Sequence, residues 1–320
     1  MILNKKETKS IRSAFGKTLE RLGHTNNDIV VMDADLSCST QTQVFAKSFP
    51  ERFFNAGIAE QDMIATAAGL ASTGKTPFVA SFAMFATGRT YDQIRNSVAY
   101  PEFNVKIVGT HGGVTVGEDG ASHQALEDVA LMRGIPHMKV FVPADCRECE
   151  QIIEYAANNP GPMYIRIART NVCDVFDDSY KFEFGKAVQI EDGVDATVIT
   201  NGETLAETIV AAEMLKKDGY SIRILHLPVV KPIDEVAIIE SAKKTGLVIT
   251  VENHSILNGL GSAVCEVLSE NYPTKVKRIG VNDEFGQSGK WSYLLDYYGL
   301  SADKLAISFK EEIDKYKKSL

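Results

Sequence analysis

No stretch of this sequence approaches the roughly 18 uninterrupted apolar residues that a membrane-spanning helix needs. The N-terminal run MILNKKETKS is charged and lacks the apolar core of a secretory leader. A cytoplasmic protein without a membrane role is therefore expected. Cysteine is sparse and odd in number, five in 320 residues, which does not make a disulfide framework. Cys146 and Cys149 form a CxxC, yet no second CxxC or histidine pair completes a zinc site, so both are expected to be structural. Basic residues are outnumbered, 34 Lys and Arg against 42 Asp and Glu, for a net charge of −8. A nucleic-acid surface needs a concentrated basic stripe, and this balance argues against one. Walker, strand-following GxGxxG, GxSxG and HExxH motifs are all missing, which leaves nucleotide binding, serine hydrolysis and zinc proteolysis without support.

What is present is the composition of a globular protein, 44% hydrophobic and 24% charged, at a length that suits two domains. From residue 8 to about 170, helical and strand-like patterns alternate. Helices are expected over 10–22, 61–72, 89–99, 126–133 and 147–157, and strands over 28–33, 76–80, 105–109, 139–142 and 163–167. The pattern weakens in the charged, aromatic stretch after Thr170 and resumes at Ala196. The expected fold class is α/β, with two domains over 1–180 and 181–320, each a mostly parallel sheet flanked by helices.

Three segments carry unusual chemistry. In HGGVTVGEDGASHQALED, residues 111–128, glycines crowd His111, His123 and Asp119 between a strand and a helix. A loop at the carboxyl end of a strand is where open α/β sheets bind small molecules, and glycine lets backbone approach a ligand closely. In RFFNAGIAEQDMIATAAGLAS, residues 52–72, Glu60 by spacing alone reads as a first-turn acid favoured by the helix dipole. In SFAMFATGRTYDQIR, Phe82 and Phe85 are three apart, which by itself reads as core packing. Arg12, Arg169 and Ser39 are scattered groups able to hydrogen-bond an anion.

Taken in order, IRSAFGKTLERLG, MDADLSCST, RFFNAGIAEQDM, SFAMFATGRTYDQIR, GTHGGVTVGEDGASHQALED, YIRIART, VKPID with VENHSILNGLGSAV, and FGQSGK resemble the C-terminal half of transketolase across nearly the whole chain. The resemblance implies a pyrimidine-binding domain followed by the transketolase C-terminal domain. It makes Glu60 the carboxylate that hydrogen-bonds the aminopyrimidine ring nitrogen of thiamine diphosphate and helps activate the cofactor. Phe82 and Phe85 match aromatics that pack on that ring, and Asp35 matches an acid near the thiazolium. A third aromatic of some members falls near Gly88.

By the same resemblance, His111, Asp119 and His123 surround the reacting end of the donor sugar, with His123 also close to the cofactor. Arg12, Ser39, His111 and Arg169 match positions that hold the sugar phosphate. The family holds the diphosphate through Mg²⁺ on a GDG motif followed by a later Asn, and this sequence contains no GDG. The resemblance therefore implies a separate N-terminal subunit carrying GDG and the metal ligands, no metal site on this chain, and a heterotetramer with two copies of each chain.

The expected activity is transfer of a two-carbon ketol unit between a ketose phosphate and an aldose phosphate. Two alternatives stand beside it: the β subunit of a 2-oxoacid dehydrogenase decarboxylase component, and a noncatalytic assembly subunit. Deoxyxylulose-phosphate synthase shares the AEQ and YDQ pieces. Glu252 and His254 of VENHS are expected in subunit packing.

Overall fold

The computed structural model describes residues 7–319; residues 1–6, which begin the charged N-terminal run, and Leu320 lie outside it. The first helix, Ile11–Thr25, is capped by Ser10, whose Oγ accepts from Ser13 N at 3.2 Å. It buries Ile11, Phe15 and Leu19, one side chain per turn, against the sheet that follows.

That sheet has seven strands in the order Val229–Lys231, Lys139–Phe141, Met163–Ile167, Lys106–Thr110, Thr76–Phe82, Ile29–Asp33, Phe53–Asn55. All neighbours are parallel except Val229–Lys231, which runs antiparallel to Lys139–Phe141. The four strands Met163–Ile167, Lys106–Thr110, Thr76–Phe82 and Ile29–Asp33 are buried at every residue. A parallel sheet covered by helices on both faces requires this, and it explains why these segments read as continuous apolar runs rather than alternating ones.

A second sheet, in the order Lys275–Val281, Leu247–Ser255, Ala196–Thr200, Ile222–His226, Val188–Glu191, is parallel but for its last pair. The two units share one apolar core, in which Met63, Val79 and Ile107 of the first are continuous with Ile199, Ile238 and Val248 of the second.

Two local expectations change. The stretch read as one helix over 89–99 is instead a turn of helix, Tyr91–Gln93, running into a π-helical Ile94–Ala99. Gly88 and Thr90, both weak helix formers, lie at the break and leave Arg89 outside the regular helix. The last 30 residues, for which no element was read, hold the helices Trp291–Tyr297 and Ala302–Lys317. The second buries Leu305, Phe309 and Ile313, a four-residue spacing that marks an amphipathic helix.

Candidate functional site

Because the strands of the first sheet run parallel, the loops after Asp33, Phe82, Thr110 and Ile167 all leave from the same edge. Asp33 shapes the first of them. Its carboxylate is wholly buried and accepts from Leu36 N at 2.5 Å, Thr40 Oγ1 at 2.6 Å and Thr42 Oγ1 at 2.8 Å. Burial pushes the Asp33 carboxyl up, and the hydrogen bonds from Thr40, Leu36 and Thr42 oppose that rise. On the loop so folded, Asp35 takes a left-handed φ of 63° and exchanges two hydrogen bonds with Asn55, at 3.1 and 3.2 Å. Ser39 meets Arg12 through its backbone carbonyl, which accepts from Arg12 Nη1 at 2.7 Å, and not through its hydroxyl.

Glu60 is the first residue of the helix Glu60–Ser72 and is only 3% exposed. A carboxylate so placed needs a cation or donors, and Arg89 supplies them, with Nη1 at 3.1 Å and 3.4 Å from the two carboxylate oxygens. The same guanidinium lies over the Phe85 ring at 4.4 Å from its centre. Phe82 and Phe85 stack on each other at 5.9 Å with 18° between their planes. Phe82 also stacks on His111 at 3.8 Å, and His123 stands edge-on to Phe85 at 5.1 Å. Their spacing read as core packing; the structure instead makes them one wall of a cluster that holds both histidines, because the helix after Phe82 starts at the site edge of the sheet.

His111 has a left-handed φ of 60° and is buried. Burial, reinforced by Arg12, Arg169 and His123, pushes its pKa down to about 3, so its ring is neutral at physiological pH. Thr110 Oγ1 donates to the Ser81 carbonyl at 3.3 Å and lies 2.8 Å from His111 Nδ1. Nδ1 is thus engaged by Thr110, and Nε2 is the His111 nitrogen that remains to meet a ligand. His123 Nδ1 is 2.9 Å from Ser122 Oγ.

Arg12 and Arg169 are close enough that Arg169 lowers the Arg12 pKa, although burial is the larger cause. Arg12 Nε is buried without a protein acceptor among the described residues. Arg169 Nη1 donates to the Val116 carbonyl at 2.7 Å and pairs with Glu118 at 3.1 Å. Two guanidiniums with an unused donor suit an anionic terminal group. The structure thus joins His111, His123, Phe82 and Phe85 by ring contact, Glu60 to Phe85 through Arg89, and Arg12 to Ser39. Asp35 and Asp119 are exposed at loop tips, and among the described residues neither is hydrogen-bonded to that cluster.

Sequence reasoning missed Arg89 and Asp33, although both sit inside segments singled out, GRTYDQ and MDADLS. It also misplaced Glu252 and His254, which are 2% and 1% exposed within this one chain. Glu252 accepts from Leu260 N at 2.7 Å and Gly261 N at 2.8 Å, satisfying the first amides of the helix Leu260–Asn271. His254 meets Ala130 N of the first domain at 3.4 Å. Their work is inside the subunit. Cys146 and Cys149 are free and buried, and burial pushes the Cys146 thiol up to about 12, which suits a structural role. Among the described residues no group of three or more His, Cys, Asp and Glu is placed to hold a metal, and no helix is long and apolar enough to cross a membrane.

Comparison with known proteins gives a consistent result. The family model for the transketolase pyrimidine-binding domain matches residues 7–174, and that for the transketolase C-terminal domain matches residues 185–305. A protein of Methanocaldococcus jannaschii assigned as a transketolase C-terminal section is 50% identical over 310 residues, 96% of this chain and 97% of that protein. The 6-deoxy-6-sulfo-D-fructose transketolase subunit of a Clostridium species is 38% identical over 305 residues, 95% of each. Among solved structures, a split-gene transketolase in the form of an inactive β4 tetramer is similar with a TM-score of 0.88 and 48% identity, covering 95% of this chain and 98% of that one.

Proposed function

This chain belongs to the transketolase family and carries its pyrimidine-binding and C-terminal domains, and on that footing we propose that it is the thiamine-diphosphate-dependent ketol-transferring subunit of a two-chain transketolase. Its pyrimidine-binding domain is assigned to residues 1–180 and its C-terminal domain to 181–320. The observation that carries the reading is the buried Glu60 carboxylate joined through Arg89 to the stacked Phe82 and Phe85. An aminopyrimidine has flat apolar faces and a polar nitrogen edge, and a carboxylate beside two aromatic rings fits both.

When bound, thiamine diphosphate would supply the carbon nucleophile for the ketose carbonyl. Glu60 would hydrogen-bond the aminopyrimidine ring nitrogen, and Phe82 and Phe85 would hold that ring. Asp35 would help hold the thiazolium end. Neutral His111 hydrogen-bonds through Nε2, Asp119 reads a donor hydroxyl, and His123 donates to or takes a proton from the carbonyl-derived oxygen. Such a proton transfer is worth about 10²–10⁴-fold in rate. Arg12, Ser39, His111 and Arg169 hold the terminal anion. Phosphate and sulfonate carry similar oxygen triads, and the relative acting on a sulfo-sugar supports both as candidates.

The diphosphate and its Mg²⁺ are assigned to a separate N-terminal chain with a GDG motif, in a heterotetramer of two copies of each. Relatives of this length are a C-terminal section and a subunit, and the similar β4 tetramer is described as inactive, which supports that division. Mixing this chain with its N-terminal partner, thiamine diphosphate and Mg²⁺ is expected to transfer the ketol unit of xylulose 5-phosphate to an aldose phosphate. Full activity of the chain alone, or reduction of lipoyl groups by pyruvate in its place, overturns the proposal.

A further inference from the structure

The loop from His111 to Gln124 is held only in part by its own bonds, among them Gln124 Nε2 to the Val114 and Gly117 carbonyls at 3.3 Å each. His111 sits at a φ of 60°, a region that L-residues avoid, and Gly113, Gly117 and Gly120 take φ of 76°, 82° and 74°. Between them runs the irregular turn Val114–Asp119. A conformation of this kind persists only when its surroundings over-determine it. The second domain supplies part of those surroundings, beside Arg169 of the first.

Asn253, on the strand Leu247–Ser255, is 2% exposed and reaches across the domain boundary. Its Oδ1 accepts from Val114 N at 2.9 Å. With the oxygen so committed, Nδ2 donates to Glu203 Oε1 at 2.6 Å and Thr115 Oγ1 at 3.1 Å, and Thr115 Oγ1 in turn donates to Glu203 at 3.1 Å. The amide is therefore fully used in one orientation. Its own carbonyl accepts from Arg166 Nη2 at 2.7 Å, which ties it back to the first sheet. A Cβ on Gly113 would stand 2.3 Å from Asn253 Nδ2, so the loop packs on this side chain as closely as backbone can. At the far end of the loop, Gln124 Nε2 donates to the Gln287 carbonyl at 3.0 Å, a second tie to the same domain.

We propose that Asn253, held by Glu203 and Thr115, is a positioning residue through which the C-terminal domain fixes the 111–124 loop and so presents His111, Asp119 and His123 to the donor sugar. The inference deepens the proposed function and rests on it for the identity of the substrate, but not for the mechanical claim about the loop. It gives the C-terminal domain, which carries no reacting group of its own in that scheme, a definite task.

The test uses Asn253→Ala, Thr115→Val and Thr115→Ser. Thr115→Val keeps the shape and loses the hydroxyl, while Thr115→Ser keeps the hydroxyl. In the full chain, amide hydrogen exchange over residues 111–124 is expected to quicken in Asn253→Ala and Thr115→Val and to stay at the wild-type rate in Thr115→Ser. Exchange in the strand Lys106–Thr110 should not change. With the N-terminal subunit added, the two loosened variants should show donor KM raised and kcat lowered, together about 10²-fold in kcat/KM, the scale of a misplacement of roughly 1 Å. Thr115→Ser should restore both, which general damage to the fold does not predict. Unchanged loop exchange, or unchanged donor kinetics in a working complex, overturns the inference. If the wild-type complex shows no ketol transfer, the previous reading fails instead, and loop exchange alone decides this one. Should Asn253→Ala fail to fold, the threonine pair carries the same comparison.

Discussion

Arg89 holds Glu60: its Nη1 is 3.1 Å from Glu60 Oε2, while its guanidinium carbon sits 4.4 Å above the Phe85 ring. One cation thus touches both the carboxylate and an aromatic that together fit the cofactor ring. The carboxylate is buried and the guanidinium is about half exposed, with side-chain exposures of 3% and 47%. Removing the acid and removing the base should therefore have different results. Glu60→Gln keeps the shape and a hydrogen-bond partner for Arg89, and it is expected to unfold near the wild-type temperature while ketol transfer by the complex falls by about 10²–10⁴-fold. Arg89→Met leaves a buried carboxylate unpaired and should lower stability by about 1–3 kcal/mol in urea unfolding. If Glu60→Gln retains wild-type turnover, the carboxylate has no part in the chemistry.

His111 makes the fold sensitive to acid. Its pKa is about 3 in the folded chain, below the ordinary histidine value of 6.5, chiefly because it is buried. Between those values the unfolded chain binds a proton that the folded one excludes, so this residue's contribution is intact above 6.5 and is lost as pH falls towards 3. The slope approaches about 1.4 kcal/mol per pH unit within that window. The carboxyls of Asp33 and Asp145, both pushed up by burial, act with the opposite sign, so the clean measurement is a difference. Urea unfolding of wild type and His111→Asn, compared at pH 7 and pH 5, should show wild type losing more. Equal losses contradict a neutral buried His111.

Arg12 and Arg169 should discriminate by the sugar's anion. Replacing either with Ala removes a charge-assisted hydrogen bond, expected to cost about 1.5–3 kcal/mol. Measured on the complex, that is roughly a 10- to 100-fold rise in KM for a ketose phosphate. A donor without the phosphate should show little change in either variant. Equal weakening for both donors would mean that the arginines shape the loop and do not read the anion.

Glu252 is predicted to matter for stability and not for pairing between subunits. Glu252→Ala strips two acceptors from the start of the helix Leu260–Asn271, at an expected cost of about 1–3 kcal/mol. Size-exclusion behaviour with the N-terminal chain should be unaltered. A lost complex at unchanged stability would restore the subunit-packing view of this residue.

Much of the fold was legible because its signals are local. The strand Met163–Ile167 has the bounds that its apolar pattern suggests, and the helix Glu60–Ser72 differs from the expected 61–72 by one residue. Arg89 stayed hidden because its partner lies 29 residues away and contact at that distance leaves no periodic trace. Asn253 stayed hidden for the same reason on a larger scale, since Val114 is 139 residues distant. Glu60 was ambiguous for a different reason. A first-turn acid and a buried functional carboxylate look alike in sequence, and only the fold distinguishes 3% exposure from a solvated helix end.

The strand Val229–Lys231 belongs to the second half of the chain yet completes the first sheet at its Lys139–Phe141 edge. A cut between the two halves would leave that edge with unpaired amides and carbonyls, an invitation to association with other chains. The halves are therefore poor candidates for separate expression, and unfolding should proceed as a single cooperative event in which neither half outlives the other.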